Sequence, residues 1–73
     1  MPYVNIKVTG GKEAPTVEQK AALIKGATQL LVDVLGKNPQ TTFVIIEEVD
    51  MDSWGIGGLS STVRRAQAAA KKE

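Results

Sequence analysis

Residues 42–49 read TFVIIEEV, and the fold turns on how that run is interpreted. Phe43, Val44, Ile45 and Ile46 are apolar without alternation, as in a strand covered on both faces. Just upstream, KNPQTT (37–42) reads as a connector, because Pro39 forbids continuation of any preceding helix. Before the connector, Val17, Ala21, Ile24, Thr28, Leu31 and Leu35 recur at helical spacing. Leu23, Ala27, Leu30 and Val34 widen that apolar face, while Lys20, Lys25, Gln29 and Asp33 supply much of the polar side. An arc this wide calls for more than one covering neighbour. TVEQ (16–19) offers a capping box at the helix start, and Gly36 suits the left-handed residue that ends it.

The N-terminal run alternates, with Val4, Ile6 and Val8 on one face and Tyr3, Asn5 and Lys7 on the other, which predicts a half-buried strand. TGGKEAP (9–15) is a loop by its glycines and proline. Strand, helix of about five turns and strand make an α/β chain, a β-α-β unit with parallel strands and a right-handed crossover. Two strands do not form a stable sheet alone. The parallel pair is therefore expected to be completed into a larger sheet by oligomerisation. Downstream, DMDSWGIGG (50–58) reads as a turn and a small hairpin. GIGG lacks the strand-turn-helix setting and the lysine of a phosphate loop. The tail, 59–73, is expected either to be partly helical from near Ser61 or to lack fixed structure.

Composition narrows the chemistry. The 73 residues make one small domain, 1–73, at a size where a single core is barely sufficient. There is no cysteine and no histidine, so disulfides, thiolate sites and the ordinary zinc ligand sets are excluded. Other copies of the chain are the remaining source of stability. Nine basic and eight acidic residues give a net charge of +1, which argues against nucleic-acid and membrane partners. Arg64, Arg65, Lys71 and Lys72 gather near the C-terminus; Glu47, Glu48, Asp50 and Asp52 gather earlier, without the spacing of a hard-cation site. No apolar run approaches the length of a membrane span and no signal core opens the chain, so the expected compartment is the cytoplasm.

Met1-Pro2 is the unusual feature. Proline is a poor strand former, yet here it heads one. Methionine is commonly trimmed before a small second residue, and trimming would leave Pro2 with a free secondary amine. An α-amino group has a pKa of roughly 7.7–8.0. Desolvation lowers it toward the value a general base needs at neutral pH. The structural alternative is that Pro2 simply starts an edge strand.

PYVNIKV (2–8), EQKAALIKGATQLL (18–31), VIIEEV (44–49) and WGIGG (54–58) occur in the order and at the spacing of the 4-oxalocrotonate tautomerase family, which the chain resembles from Pro2 to about Gly58. The resemblance implies a β-α-β tautomerase-type fold whose dimer forms a four-stranded sheet, often assembled as a hexameric trimer of dimers. It implies an isomerase of aromatic-compound breakdown that needs no metal or organic cofactor. Pro2 would move a proton between the enol oxygen and a carbon of a 2-hydroxydienoate or 2-oxo acid. In the same frame Lys12 stands near the place of the family's loop arginine. It keeps the charge but lacks the bidentate fork. Phe43 occupies the place of a second-strand arginine, Trp54 matches the aromatic pocket residue, and Thr9 matches the strand-end residue whose amide faces substrate. Arg64 or Arg65 would restore the missing charge. Two other readings compete: a hydratase or dehalogenase reaction on the same fold, and a non-catalytic oligomeric binding module.

Overall fold

A computed structural model describes residues 1–70; Lys71, Lys72 and Glu73 lie outside the described residues. Strand β1 spans Tyr3–Thr9, helix α1 Val17–Leu35 and strand β2 Phe43–Val49. The two strands pair in parallel with Tyr3 opposite Phe43 and Thr9 opposite Val49. Thr16 and Gln19 form the reciprocal capping box, the Gln19 amide donating to Thr16 Oγ1 at 3.1 Å and the Thr16 amide to Gln19 Oε1 at 2.9 Å. Gly36 ends α1 with φ 65°, a left-handed value that favours glycine. A single 3-10 turn follows each of the first two elements, at Gly11–Glu13 and at Pro39–Thr41.

After β2, a 3-10 turn at Met51–Ser53 leads into a hairpin of β3 (Gly55–Ile56) and β4 (Leu59–Ser60). Gly57 and Gly58 both have positive φ, 61° and 88°, as a two-residue primed hairpin turn requires. GIGG is thus a hairpin turn. Helix α2, Ser61–Ala70, begins directly after β4. The Ser61 amide donates to the Trp54 carbonyl at 2.7 Å and closes the hairpin beneath the helix.

The strands divide their side chains between two faces. Val4, Ile6, Val8, Val44, Ile46 and Glu48 share the face that α1 covers, where Lys20 of the helix pairs with Glu48. Tyr3, Asn5, Lys7, Phe43, Ile45 and Glu47 share the opposite face. No element among the described residues covers it: Tyr3 is 62%, Phe43 52% and Ile45 46% exposed. The apolar run of β2 is therefore covered on one face by its own chain and open on the other. No hydrophobic residue among those described is fully buried. Leu30 and Val34 on the outer side of α1 stay exposed, matching an arc too wide for one sheet. The Cα radius of gyration is 16.3 Å, against about 11 Å for a compact domain of this length.

Period two also scatters the acidic cluster. Glu47 takes the open face and accepts from Asn5 at 2.5 Å, Glu48 turns to Lys20, and Asp52 accepts from the Thr62 hydroxyl at 2.5 Å. Among the described residues the cluster gathers no group of carboxylates able to hold a metal ion.

Candidate active site

Pro2 sits immediately before β1, half-buried, and its carbonyl accepts from the Phe43 amide at 3.0 Å. The same bond sets Phe43 beside Pro2 at the head of the sheet, with its ring on the open face. Met1 is 85% exposed, so its removal disturbs no packing. Pro2 and Phe43 are thus one pair that the protomer brings together.

Thr9 and Lys12 lie at the far end. Seven steps along the strand separate Pro2 from Thr9, a span of about 23 Å at the usual rise. The Gly10 amide donates to Val49 O at 2.8 Å. With the Phe43-to-Pro2 bond, this places the even-numbered residues of β1 on the ladder with β2. Alternation then directs the Thr9 amide toward the unpaired edge of β1. Lys12, Gly10, Gly11, Asp50, Met51, Asp52 and Thr62 line an open cleft of about 520 Å³. A neighbouring groove of about 530 Å³ is lined by Val8, Thr9, Glu13, Pro15, Gln19, Ala22 and Leu23. Neither reaches Pro2.

Trp54 is half-buried at the foot of the hairpin, where its amide donates to Met51 O at 3.3 Å. Arg64 lies on α2 with its guanidinium over the hairpin turn; a Cβ added at Gly57 would stand 3.2 Å from its Nη1. The protomer therefore presents three groups: Pro2 with Phe43, Thr9 with Lys12, and Trp54 with Arg64. The first is separated from the second by the length of the sheet.

Glu13, a residue not marked in the sequence, and Arg65, marked there only as a charge for substrate, tie the second group to the third. Arg65 Nη1 and Nη2 donate to Glu13 Oε2 and Oε1 at 2.5 and 2.9 Å, and the Thr9 hydroxyl donates to Glu13 Oε1 at 2.6 Å. Arg65 foremost, and then Thr9, lower the Glu13 pKa from 4.5 to about 2. A carboxylate held below its unfolded value stabilises the fold above that value and ceases to do so as pH falls toward its folded pKa. The clamp is accordingly expected to hold above pH 4.5 and to open between there and about 2. A carbon-detected NMR titration checks this, since a Glu13 midpoint near 4.5 would mean that the clamp does not form in solution.

Comparison with known proteins agrees with this architecture. The profile of the family described as Tautomerase enzyme matches residues 2–64. Fold and sequence together define a small isomerase built on a β-α-β protomer; the chain belongs to the tautomerase family. It is similar to Probable tautomerase K2 of Dickeya dadantii (strain 3937), with 64% identity over 94% of this chain and 100% of that protein. It is 36% identical to the 2-hydroxymuconate tautomerase of Pseudomonas putida, over 84% of this chain and 92% of the relative. The crystal structure of DmpI from Helicobacter pylori matches with a TM-score of 0.82 at 45% identity, covering 89% of this chain and 97% of that one. Among the described residues no helix is long and apolar enough to cross a membrane.

Proposed function

We propose that the protein is a cofactor-independent tautomerase that moves a proton between the enol oxygen and a carbon of a 2-hydroxydienoate or related 2-oxo acid, with the Pro2 amine as general base. The observation that carries this reading is Pro2 at the head of β1, half-buried beside Phe43 and directly after an exposed methionine. After methionine removal its nitrogen is a secondary amine with a lone pair. That lone pair takes the hydroxyl proton at C2. The O–H electrons form the C2 carbonyl, the π electrons shift along the diene, and a conjugated carbon receives the proton back from the prolinium. The amine is regenerated, and no electron leaves the substrate.

The remaining roles follow from charge and position. Lys12 holds a substrate carboxylate, and the Thr9 amide donates to the oxygen on which charge develops. Trp54 and Phe43 keep water from the amine and so favour its neutral form. Arg64, which has no carboxylate partner among the described residues, supplies the charge for the far end of the substrate.

Assembly reconciles these roles with the separation of Pro2 from Thr9. β1 has an unpaired edge, and an open edge is a template for another strand. Antiparallel pairing of two β1 strands puts Pro2 of one protomer near Thr9 and Lys12 of the next. The open face then packs further copies, as a dimer or as a trimer of dimers.

Intact mass of the purified protein, followed by turnover of 2-hydroxymuconate, tests this reading. The expected result is a mass lacking one methionine and measurable isomerisation. A form that retains Met1 has an amide at Pro2 and is expected to be inactive. Equal turnover with and without Met1 would refute the assignment of the base.

A further inference from the structure

Resting on the tautomerase reading, we propose that Arg65 is a positioning residue: through Glu13 it fixes the end of β1 and the turn that carries Lys12, and so sets how tightly substrate is held. Beyond the Gly10 amide's bond to Val49 O at 2.8 Å, the turn has little else to fix it. Gly10 and Gly11 precede Lys12, Gly11 at φ 66°, and such residues carry a high ordering cost. The turn's own backbone bonds are long, with the Glu13 amide 3.3 Å from Gly10 O and the Ala14 amide 3.2 Å from Gly11 O. Glu13, by contrast, uses both carboxylate oxygens. The Arg65 fork occupies them in two parallel bonds, and Thr9 Oγ1 shares one of them. One carboxylate thus joins the last residue of β1, the neighbour of Lys12, and a helix 52 residues further along the chain.

The helix end of the clamp is itself anchored. Thr62 donates to Asp52, and the Ser61 amide donates to Trp54 O. Arg65 therefore ties the turn bearing Lys12 to the unit bearing Trp54 and Arg64. Arg64 and Arg65 are not equivalent. Successive residues of a helix point about 100° apart, and here one guanidinium grips Glu13 while the other lies over Gly57. Exposed single ion pairs contribute little to global stability, but a bidentate pair within a network orders its partners. The consequence falls on the geometry of the substrate pocket.

The test compares wild type, Arg65→Ala, Glu13→Gln and the double variant, each as the full chain, with 2-hydroxymuconate as probe. Two quantities are measured: amide hydrogen exchange of residues 9–14, and steady-state kinetics. Arg65→Ala is expected to speed exchange there and to raise KM about five- to tenfold with kcat within about twofold, the signature of lost binding without lost chemistry. Because both residues act through one contact, the double variant should match Arg65→Ala instead of adding to it. Arg65→Lys, which keeps the charge without the fork, is expected to recover part of the loss. Additive effects in the double variant, unchanged exchange, or faster exchange with unchanged KM would each overturn the positioning role and leave the tautomerase reading intact. A wild type that does not isomerise the probe would instead overturn the reading itself, and the proposal with it.

Discussion

Replacing Pro2 by alanine is expected to lower kcat/KM for 2-hydroxymuconate by about 10²- to 10⁴-fold, the range that a positioned general base supplies. The variant isolates chemistry from structure because Pro2 contributes a carbonyl, not a side chain, to the sheet. Its oxygen accepts from the Phe43 amide, and alanine presents the same oxygen. Methionine trimming is also expected before alanine, so a primary amine remains and accounts for residual turnover. What is lost is the pyrrolidine ring, which fixes the nitrogen's position and direction. Circular dichroism and the mass of the assembly should match wild type. A Pro2→Ala protein that turns over substrate at the wild-type rate would move the function to a binding role on the same fold.

Changing Ile45 to aspartate should have the largest effect on structure. Ile45 lies at the centre of the open face beside Phe43 and Tyr3, and it is 46% exposed in the protomer. Covering an isoleucine side chain is worth about 1.5–3 kcal/mol, and a carboxylate in its place must be desolvated without a partner. With no fully buried hydrophobic residue among those described, the protomer has no reserve to absorb such a loss. The expected outcome is loss of both the oligomer and helical circular dichroism, read by sedimentation and far-ultraviolet spectra. An Ile45→Asp protein that keeps the wild-type assembly would show that the open face is not an interface, and one that stays folded as a monomer would show that folding does not depend on covering it.

The local elements were legible from the chain because each is specified by neighbours a few residues apart. Thr16, Gln19 and Gly36 bracket α1 at the bounds the periodicity predicts, and each acts within one turn of the helix. Paired glycines likewise fix the hairpin at Gly57–Gly58. The apolar run of β2 was legible as strand, but its two-sided covering is only half supplied by one chain. A sequence states which faces must be covered without stating which molecule covers them. The same limit governs the candidate site. Pro2 stands out by its position, and Lys12, Thr9, Phe43 and Trp54 by the family's spacing; Arg64 and Arg65 stand only as alternatives for a missing charge, and Glu13 carries no local mark. The bond between Glu13 and Arg65 is a polar contact between a glycine-rich loop and a distant helix, a pairing that no periodicity encodes.

The absence of a buried apolar interior among the described residues has a consequence for the amount of protein made. Where folding depends on association, stability rises with protomer concentration by mass action. Dilution then acts as a denaturant. At low expression such a chain would be a substrate for proteases before it was an enzyme, and activity would rise more steeply than synthesis.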